Sequence, residues 1–386
     1  MPIKLHKEYL KNVRERYQKS TKTHKSFILS EFCVNSGYSR KHASRILNER
    51  LEPRVRRPGP SVKYDQHFTF YLRHLWEATG RLCGKNLEAA IPLWLPQSNT
   101  EDFPLEIRKK LEKISASTID RLLAPYKRLK PKGLSTTRSS ELKNKIPLRT
   151  LDSIAKCPGI VNADTVAHCG QSIAGDYMNS LTIVDLFSGW TVNRAIWKKD
   201  AKGTLGQIKR AEASLPFNLV EFYTDNGNEF LNYELQSYFQ KRIAPVNFRR
   251  TRAYKKNDNC YVEQKNFTHV RKIFGYQRVS SPELVSLANE IYQVYWNPLQ
   301  NFFTPSMKLI KKERQGSKIV KVYDEPKTPY QRLLDSGYLT NDQRRSLIKI
   351  YNNLNPFFLK KELDRRLKIF FQKTEEYNKF HNDKVG

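Results

Sequence analysis

The sequence has few cysteines and no long apolar run, and these absences argue against disulfide-stabilised, zinc-binding and membrane-spanning proteins. Its five cysteines (33, 83, 157, 169 and 260) are scattered singly, and no Cys-x-x-Cys pair occurs. This spacing argues against a disulfide framework and against a structural zinc site. No stretch reaches the roughly 18 apolar residues of a membrane-spanning helix, and the opening MPIKLHKEYLKNVRERYQK lacks the apolar centre of a secretory signal. We therefore expect a cytoplasmic protein with no membrane partner.

Acidic residues are scarce relative to basic ones. The 386 residues include 69 lysines and arginines against 38 aspartates and glutamates, which gives a formal net charge of +31. So large an excess predicts a polyanionic partner, and we expect double-stranded DNA, bound more weakly as salt rises.

The central part of the chain has the pattern of an α/β domain. Alternating or apolar runs predict strands around Asp164 and over 177–186, 190–197, 219–227 and 245–249. Helical patterns cover 200–214, 232–242 and about 257–274. The order strand, strand, strand, helix, strand, helix, strand, helix predicts an RNase H-like core with a mixed five-stranded sheet.

Three acidic residues of this region are the candidate catalytic group. Asp164 lies in the first strand, Asp225 ends the fourth strand in an Asp-Asn-Gly turn, and Glu263 lies one turn into the last helix. The carboxyl ends of strands are where α/β proteins place their chemistry. Converging carboxylates form an oxygen-rich site for Mg²⁺ or Mn²⁺, and two such ions about 3.5–4 Å apart can cleave or join a phosphodiester.

Each acid also has a structural interpretation when taken alone. Asp225 can be a turn residue, Glu263 a solvated helix residue and Asp164 a strand-end cap. Their joint order favours the catalytic interpretation. The competing acids are Asp176, Asp185, Asp258 and Glu229; the first three are interpreted as turn or helix-cap residues.

The fragments ADTVAHCG, TDNGNEF and KKNDNCYVEQKNFTHVRKIFGY resemble the catalytic core of bacterial insertion-sequence transposases of the DDE type, which are related to retroviral integrases. The resemblance covers roughly 150–290 and implies that Asp164, Asp225 and Glu263 are both catalytic residues and ligands of two Mg²⁺ or Mn²⁺ ions. It also implies phosphodiester hydrolysis and strand transfer, a homodimer or larger assembly on DNA, no small-molecule substrate, and a bacterial, nucleoid-associated location. The His-His-Cys-Cys zinc module of retroviral integrases is absent.

The flanking regions predict DNA-binding modules. Residues 1–57 have a helix-turn-helix pattern, residues 62–128 predict a second, winged or plain helix-turn-helix unit, and residues 129–149 have the composition of a basic linker. Candidate DNA contacts lie on the second helix of the first module, in the Pro-rich stretch after it, and on or beside the Glu263 helix: Arg40, Lys41, Arg45, Arg56, Arg57, Lys265, Arg271 and Lys272. A solvated helical hairpin and a plain tether are the alternatives for the first two groups.

The basic region 291–386 is predicted to be mainly helical, with an extended or hairpin segment around KIVKVYD. An amphipathic helix is expected to end at Asn297-Pro298, before an aromatic loop. The aromatic side chains of this stretch either stack on bases or belong to the core: Tyr292, Tyr295, Trp296, Phe302 and Phe303.

Two other functions are compatible with the same residues. One is a catalytically silent, sequence-specific DNA-binding protein derived from a transposase, and the other is a nuclease of the same fold that cuts without joining.

Overall fold

The computed structural model describes residues 3–48, 63–127, 155–198, 200–224, 229–230, 232–250, 260–315 and 318–382. The chain divides into two compact units, Met1–Lys63 and Tyr64–Gly386. The domain boundaries predicted at 57–62 and at 128–150 lie outside the described residues and stay predictions.

The first unit is a bundle of three helices, α1 (Ile3–Gln18), α2 (Lys22–Ser36) and α3 (Arg40–Asn48). The chain leaves α2 at Gly37, whose left-handed backbone (φ 69°) suits glycine because it has no Cβ. All three helices contribute to the core: Val13, Tyr17, Ile28, Leu29, Phe32, Ala43 and Leu47. Phe27 of α2 is 71% exposed, although its neighbour Ile28 is buried. Neighbouring helical residues point about 100° apart, and α2 buries Leu29 instead.

The second unit begins with four helices: α4 (Gln66–Ala78), α5 (Gly84–Trp94), α6 (Leu105–Leu111) and α7 (Ala116–Leu123). Asp65 caps α4 by accepting from the N–H of Phe68 at 2.7 Å. The side chain of Trp94 is buried, and its Nε1 donates to the carbonyl of Phe303 at 2.9 Å. These helices therefore pack on the C-terminal helices of the same unit.

A five-stranded mixed sheet is the centre of the second unit, as predicted. Its strands are β1 (Ile160–Ala167), β2 (Met178–Asp185), β3 (Thr191–Trp197), β4 (Glu221–Thr224) and β5 (Asn247–Arg250). Their order is β3-β2-β1-β4-β5; the first three strands are antiparallel, and β4 and β5 run parallel to β1. Helix α8 (Ala201–Glu212) connects β3 to β4, and α9 (Tyr233–Gln240) precedes β5.

Two long helices follow the sheet, and each contains a wider π-type segment. Helix α10 runs over Cys260–Lys265, the π segment Asn266–Arg271 and Lys272–Phe274. Helix α11 runs over Leu284–Glu290, the π segment Ile291–Trp296 and Asn297–Phe303. The predicted core boundary at 290 therefore falls inside a continuous helix.

The expected end of α11 at Asn297-Pro298 is wrong. An internal proline costs about 3 kcal/mol, but burying Phe302 and Phe303 is worth about 2–3 kcal/mol each, and both are almost fully buried. The alternative that the aromatic side chains belong to the core is correct for Tyr292 and Tyr295 as well, while Trp296 is half-buried.

Helix α11 closes the free edge of β3 with side-chain amides. Asn301 accepts from the N–H of Thr191 at 2.9 Å and donates to its carbonyl at 2.8 Å. Asn297 does the same at Asn193, and Asn289 at Ala195. These three amides take the place of a sixth strand and so satisfy an edge that would otherwise pair with another chain.

The C-terminal part contains a hairpin and three helices. Strands β6 (Leu309–Gln315) and β7 (Lys318–Tyr323) form the hairpin predicted around KIVKVYD, and helices α12 (Pro329–Asp335), α13 (Asn341–Asn352) and α14 (Pro356–Asn382) follow. Among the described helices, none combines the length and the apolar character needed to cross a membrane.

Candidate active site on the central strand

Asp164 lies in β1, the middle strand of the sheet, and its carboxylate is tied to a distant helix. The backbone of Asp164 pairs with Thr182 of β2, and its side chain is half-buried. Oδ1 accepts from the N–H of Thr165 at 2.7 Å, and Oδ2 accepts from Nδ2 of Asn266, on α10, at 2.7 Å. An ionised carboxylate only accepts hydrogen bonds, so the amide must present its NH₂ group to Asp164.

The helix that carries Glu263 packs along β1 at several points. At its start, Tyr261 packs against Ile160. Further along, Asn266 reaches Asp164, and Nη2 of Arg271 donates to the carbonyl of Ala167 at 3.0 Å. Glu263 is exposed and lies three residues before Asn266, a spacing that puts both on one side of a helix. The structure thus brings the Glu263 helix to the strand of Asp164.

Asp225, the third predicted acid, lies outside the described residues. The residue before it, Thr224, is the buried last residue of β4 and pairs with Ala163 of β1. The strand expected to deliver Asp225 is therefore the direct neighbour of the strand that holds Asp164.

The donor atoms around Asp164 suit a hard cation. Carboxylate and amide oxygens are the ligands that Mg²⁺ and Mn²⁺ prefer. Oδ1 of Asn266 is buried and receives no hydrogen bond from any described residue, which leaves an acceptor beside Asp164 for a metal-bound water or a further donor. Within the described ranges, no three His, Cys, Asp or Glu residues are close enough to hold a metal. Asp164 and Glu263 are the two described members of the predicted set.

Glu229, one of the competing acids, is bonded to the residue next to Asp164. It is buried, and its Oε1 accepts from Oγ1 of Thr165 at 2.9 Å. Nothing in the sequence distinguishes this buried glutamate from a solvated one.

Asp185 and Asp176 have structural surroundings. Asp185 is buried and accepts from the N–H of Gly159 at 2.9 Å and from the N–H and Oγ of Ser188 at 2.7 and 2.5 Å. Burial raises the pKa of Asp185 to about 6, although these hydrogen bonds oppose the shift. Asp176 forms an exposed ion pair with Lys198 at 2.8 Å. Asp258 lies outside the described residues.

His168, which follows Asp164 closely, is a core residue. Its Nε2 lies 2.8 Å from Oγ of Ser180, and its ring contacts Phe274 edge-on. Burial, together with the charge of Arg271, lowers the pKa of His168 to about 3, so the ring is neutral.

The predicted DNA-contact residues have different surroundings. On α10, Lys272 is exposed, whereas Arg271 binds the carbonyl of Ala167 and lies over the ring of Tyr276. Lys265 is half-buried, and burial, with the nearby charges of Lys308 and Arg332, lowers its pKa to about 8.

On α3, Lys41 and Arg45 are exposed, and Arg40 donates to the hydroxyls of Ser30 and Ser26 at 2.7 and 2.8 Å. Arg56 and Arg57 lie outside the described residues. The role of all eight basic residues in DNA contact stays a prediction.

The fold is that of a mixed α/β protein with Asp164 on the central strand and Glu263 on a helix that contacts that strand through Asn266. The sequence is 35% identical over 333 residues to the uncharacterized protein y4rM of Sinorhizobium fredii (strain NBRC 101917 / NGR234), which covers 84% of this chain and 94% of that protein. The chain belongs to the same family as this Sinorhizobium protein. No protein-family model matches the sequence.

Two solved structures show a distant similarity to part of this chain. The HTLV-2 integrase catalytic core domain in complex with magnesium has 18% identity, covers 39% of this chain and 92% of its own, and gives a TM-score of 0.29. The catalytic core domain of BIV integrase has 15% identity, covers 46% and 95%, and gives the same TM-score of 0.29.

Proposed function

We propose that this chain is a DNA transposase with an RNase H-like core, which binds the ends of a mobile element and catalyses metal-dependent hydrolysis and strand transfer. Asp164, Asp225 and Glu263 are the proposed catalytic residues and the ligands of two Mg²⁺ or Mn²⁺ ions. The observation that supports this most is the hydrogen bond between Asn266 and Asp164. It joins the helix of Glu263 to the strand of Asp164, as a shared site requires.

The chain's own residues have defined tasks in this proposal. When bound, the two ions activate the attacking water or 3′-hydroxyl and stabilise the leaving oxygen. Asn266 and the N–H of Thr165 fix both oxygens of Asp164, so the carboxylate does not have to reorient when it binds a ligand. Arg271 anchors the same helix at the far end of β1.

The net charge of +31 supports the DNA-binding half of the proposal. In it, α3 of the first unit contacts the element ends, with Arg40, Lys41 and Arg45 at the phosphates and base edges. Arg56 and Arg57 contact the DNA backbone, and Lys265, Arg271 and Lys272 lie along the scissile strand. Because two element ends must be joined, the active form is a homodimer or a larger assembly.

The test uses labelled duplexes taken from the DNA that flanks the gene, incubated with the full-length protein and Mg²⁺. Joined product is expected from the native protein. Asp225→Asn should abolish product while leaving the DNA mobility shift intact, and Asp176→Asn, which alters only an exposed ion pair, should change neither. Cut product without joining would identify a nuclease, and shifted but uncut DNA would identify a DNA-binding regulator. Activity that survives Asp225→Asn would refute the site.

A further inference from the structure

A cavity of about 600 Å³ lies beside the edge strand β3, separate from the Asp164 site. Trp190, Val192 and Arg194 alternate along the chain and so share the face of β3 that lines it. The other walls come from the connection 213–218 between α8 and β4, from α11, and from the first turns of α13.

Arg194 gives this cavity an uncompensated charge. Its residue surface is only 7% exposed. Nε donates to Oε1 of Gln207 at 3.0 Å, and Nη1 donates to Oε1 of Gln293 at 2.8 Å. Both partners are neutral amides. Among the described residues, the charged group that acts on Arg194 is another cation, Arg210, and the hydrogen bonds of Arg194 use Nε and Nη1 but not Nη2.

A buried cation without a counter-ion is costly to keep. Arginine stays protonated under all ordinary conditions, and the cost of desolvating its charge is several kcal/mol unless an anion offsets it. If Arg194 only linked Gln207 to Gln293, its charge would be unnecessary, because a neutral side chain can also donate hydrogen bonds to two amide oxygens. The positive charge therefore points to a negatively charged ligand.

The walls determine which anion fits. Trp190, Phe217 and Phe302 contribute the small exposed parts of their largely buried rings to the walls, and the volume lies in the range of small-ligand sites. One guanidinium with one NH₂ group left balances a single negative charge. Asp342, on the rim, is paired with Arg345 at 3.6 Å and adds no positive charge for a second. These features favour a monoanion with a large apolar body over a phosphate dianion.

We propose that this cavity binds a small organic monocarboxylate with an aromatic body, whose carboxylate is held by Arg194 and whose ring packs among Trp190, Phe217 and Phe302. The site is independent of the DNA chemistry proposed above, because none of its residues touches Asp164 or α10 in the described contacts.

The first test measures binding of 3-phenylpropionate to the full-length protein by calorimetry and by the shift in Tm. Two relatives of this probe are compared, the neutral 3-phenylpropanamide and the dianion phenyl phosphate. We expect saturable binding of the carboxylate and at least about tenfold weaker binding of the other two, since a charged hydrogen bond is worth roughly 1.5–3 kcal/mol. Equal binding of the acid and its amide, or no binding of either, would overturn the proposal.

Substitutions localise the site. Ser346→Trp, at the exposed rim, should weaken 3-phenylpropionate binding by about tenfold or more by filling the entrance. Lys349→Trp, on the same helix and also exposed but not in the lining, should leave it unchanged. Loss of binding in both variants, or in neither, would place the ligand elsewhere.

Arg194→Met separates a ligand-binding role from a structural one. If the charge is kept for a ligand, this variant should lose the preference for acid over amide, whatever its Tm, because it also removes the donors to Gln207 and Gln293. An acid preference that stays intact would show that Arg194 serves the fold alone.

Discussion

Two aspartates on neighbouring strands of one sheet show how position decides the use of a carboxylate. Asp185, at the end of β2, is buried, and three donors from its own turn and from Gly159 surround it. Asp164, in β1, is half-buried, and its side-chain partner Asn266 comes from a helix about one hundred positions later in the chain. A carboxylate satisfied by a local turn stabilises the fold. A carboxylate that is positioned by a remote helix, and that stays half-buried, is the one we propose to bind a ligand.

The largest predicted effect is a loss of activity on substitution of Asp164, which Asp185 should not share. Asp164→Asn should lower the rate of cutting and joining by about 10³-fold or more, on the order of 4 kcal/mol, because an amide cannot supply the charge that two metal ions require. Its Tm and DNA affinity should match those of the native protein. Strand-transfer kinetics and thermal unfolding measure both quantities. Full activity in this variant would remove Asp164 from the site.

Asp185→Ala should show the opposite behaviour, a loss of stability without a specific loss of activity. It leaves three buried donors without an acceptor, and at about 1–1.5 kcal/mol each the free energy of unfolding should fall by about 3–4 kcal/mol. Asp176→Ala, which breaks an exposed ion pair, should cost less than about 1 kcal/mol. Denaturant unfolding measures the stability, and strand transfer per folded molecule measures the activity. An Asp185→Ala protein that is stable but inactive would reverse the two assignments.

The pKa of Asp185 gives a pH-dependent form of the same comparison. Its folded value of about 6 lies above the ordinary 3.8. The folded state therefore favours the protonated carboxyl, and this contribution is present in full below about pH 4 and is lost as the pH rises through about 6. Two pKa units correspond to roughly 3 kcal/mol.

The measurement is the free energy of unfolding of the native protein minus that of Asp185→Asn, which lacks this titration. The difference should fall by roughly 3 kcal/mol between about pH 4 and pH 7. A difference that does not change over this range would mean that Asp185 has the same pKa in the folded and unfolded states.

The order of elements and the mixed five-stranded sheet were predictable because strand and helix periodicity is local. The contacts that define the site were not. Asn266 and Asp164 meet across 102 positions, and no local pattern encodes that pairing. The amides of Asn289, Asn297 and Asn301 have the spacing of an ordinary polar helix face, so their use as a substitute strand depends on where α11 packs. The helix end predicted at Pro298 was wrong because the free-energy cost of an internal proline is smaller than the free energy gained by burying the residues that follow it.

The smallest expected effect tests whether the remote helix positions Asp164. Asn266→Ala removes the hydrogen bond to Oδ2 and should lower strand transfer by about tenfold, because the carboxylate loses a contact that fixes one of its oxygens. Asn266→Asp places a second negative charge against Asp164, and it should lower activity further at low Mg²⁺ and recover in part as Mg²⁺ rises, since the cation offsets the repulsion. Thr268→Ala, two residues along the same helix and bonded only to its own helix and to His269, serves as the matched control. If both Asn266 variants kept native activity at every Mg²⁺ concentration, the contact would be a packing feature like those of Asp185, and the distinction between the two aspartates would rest on Asp164 alone.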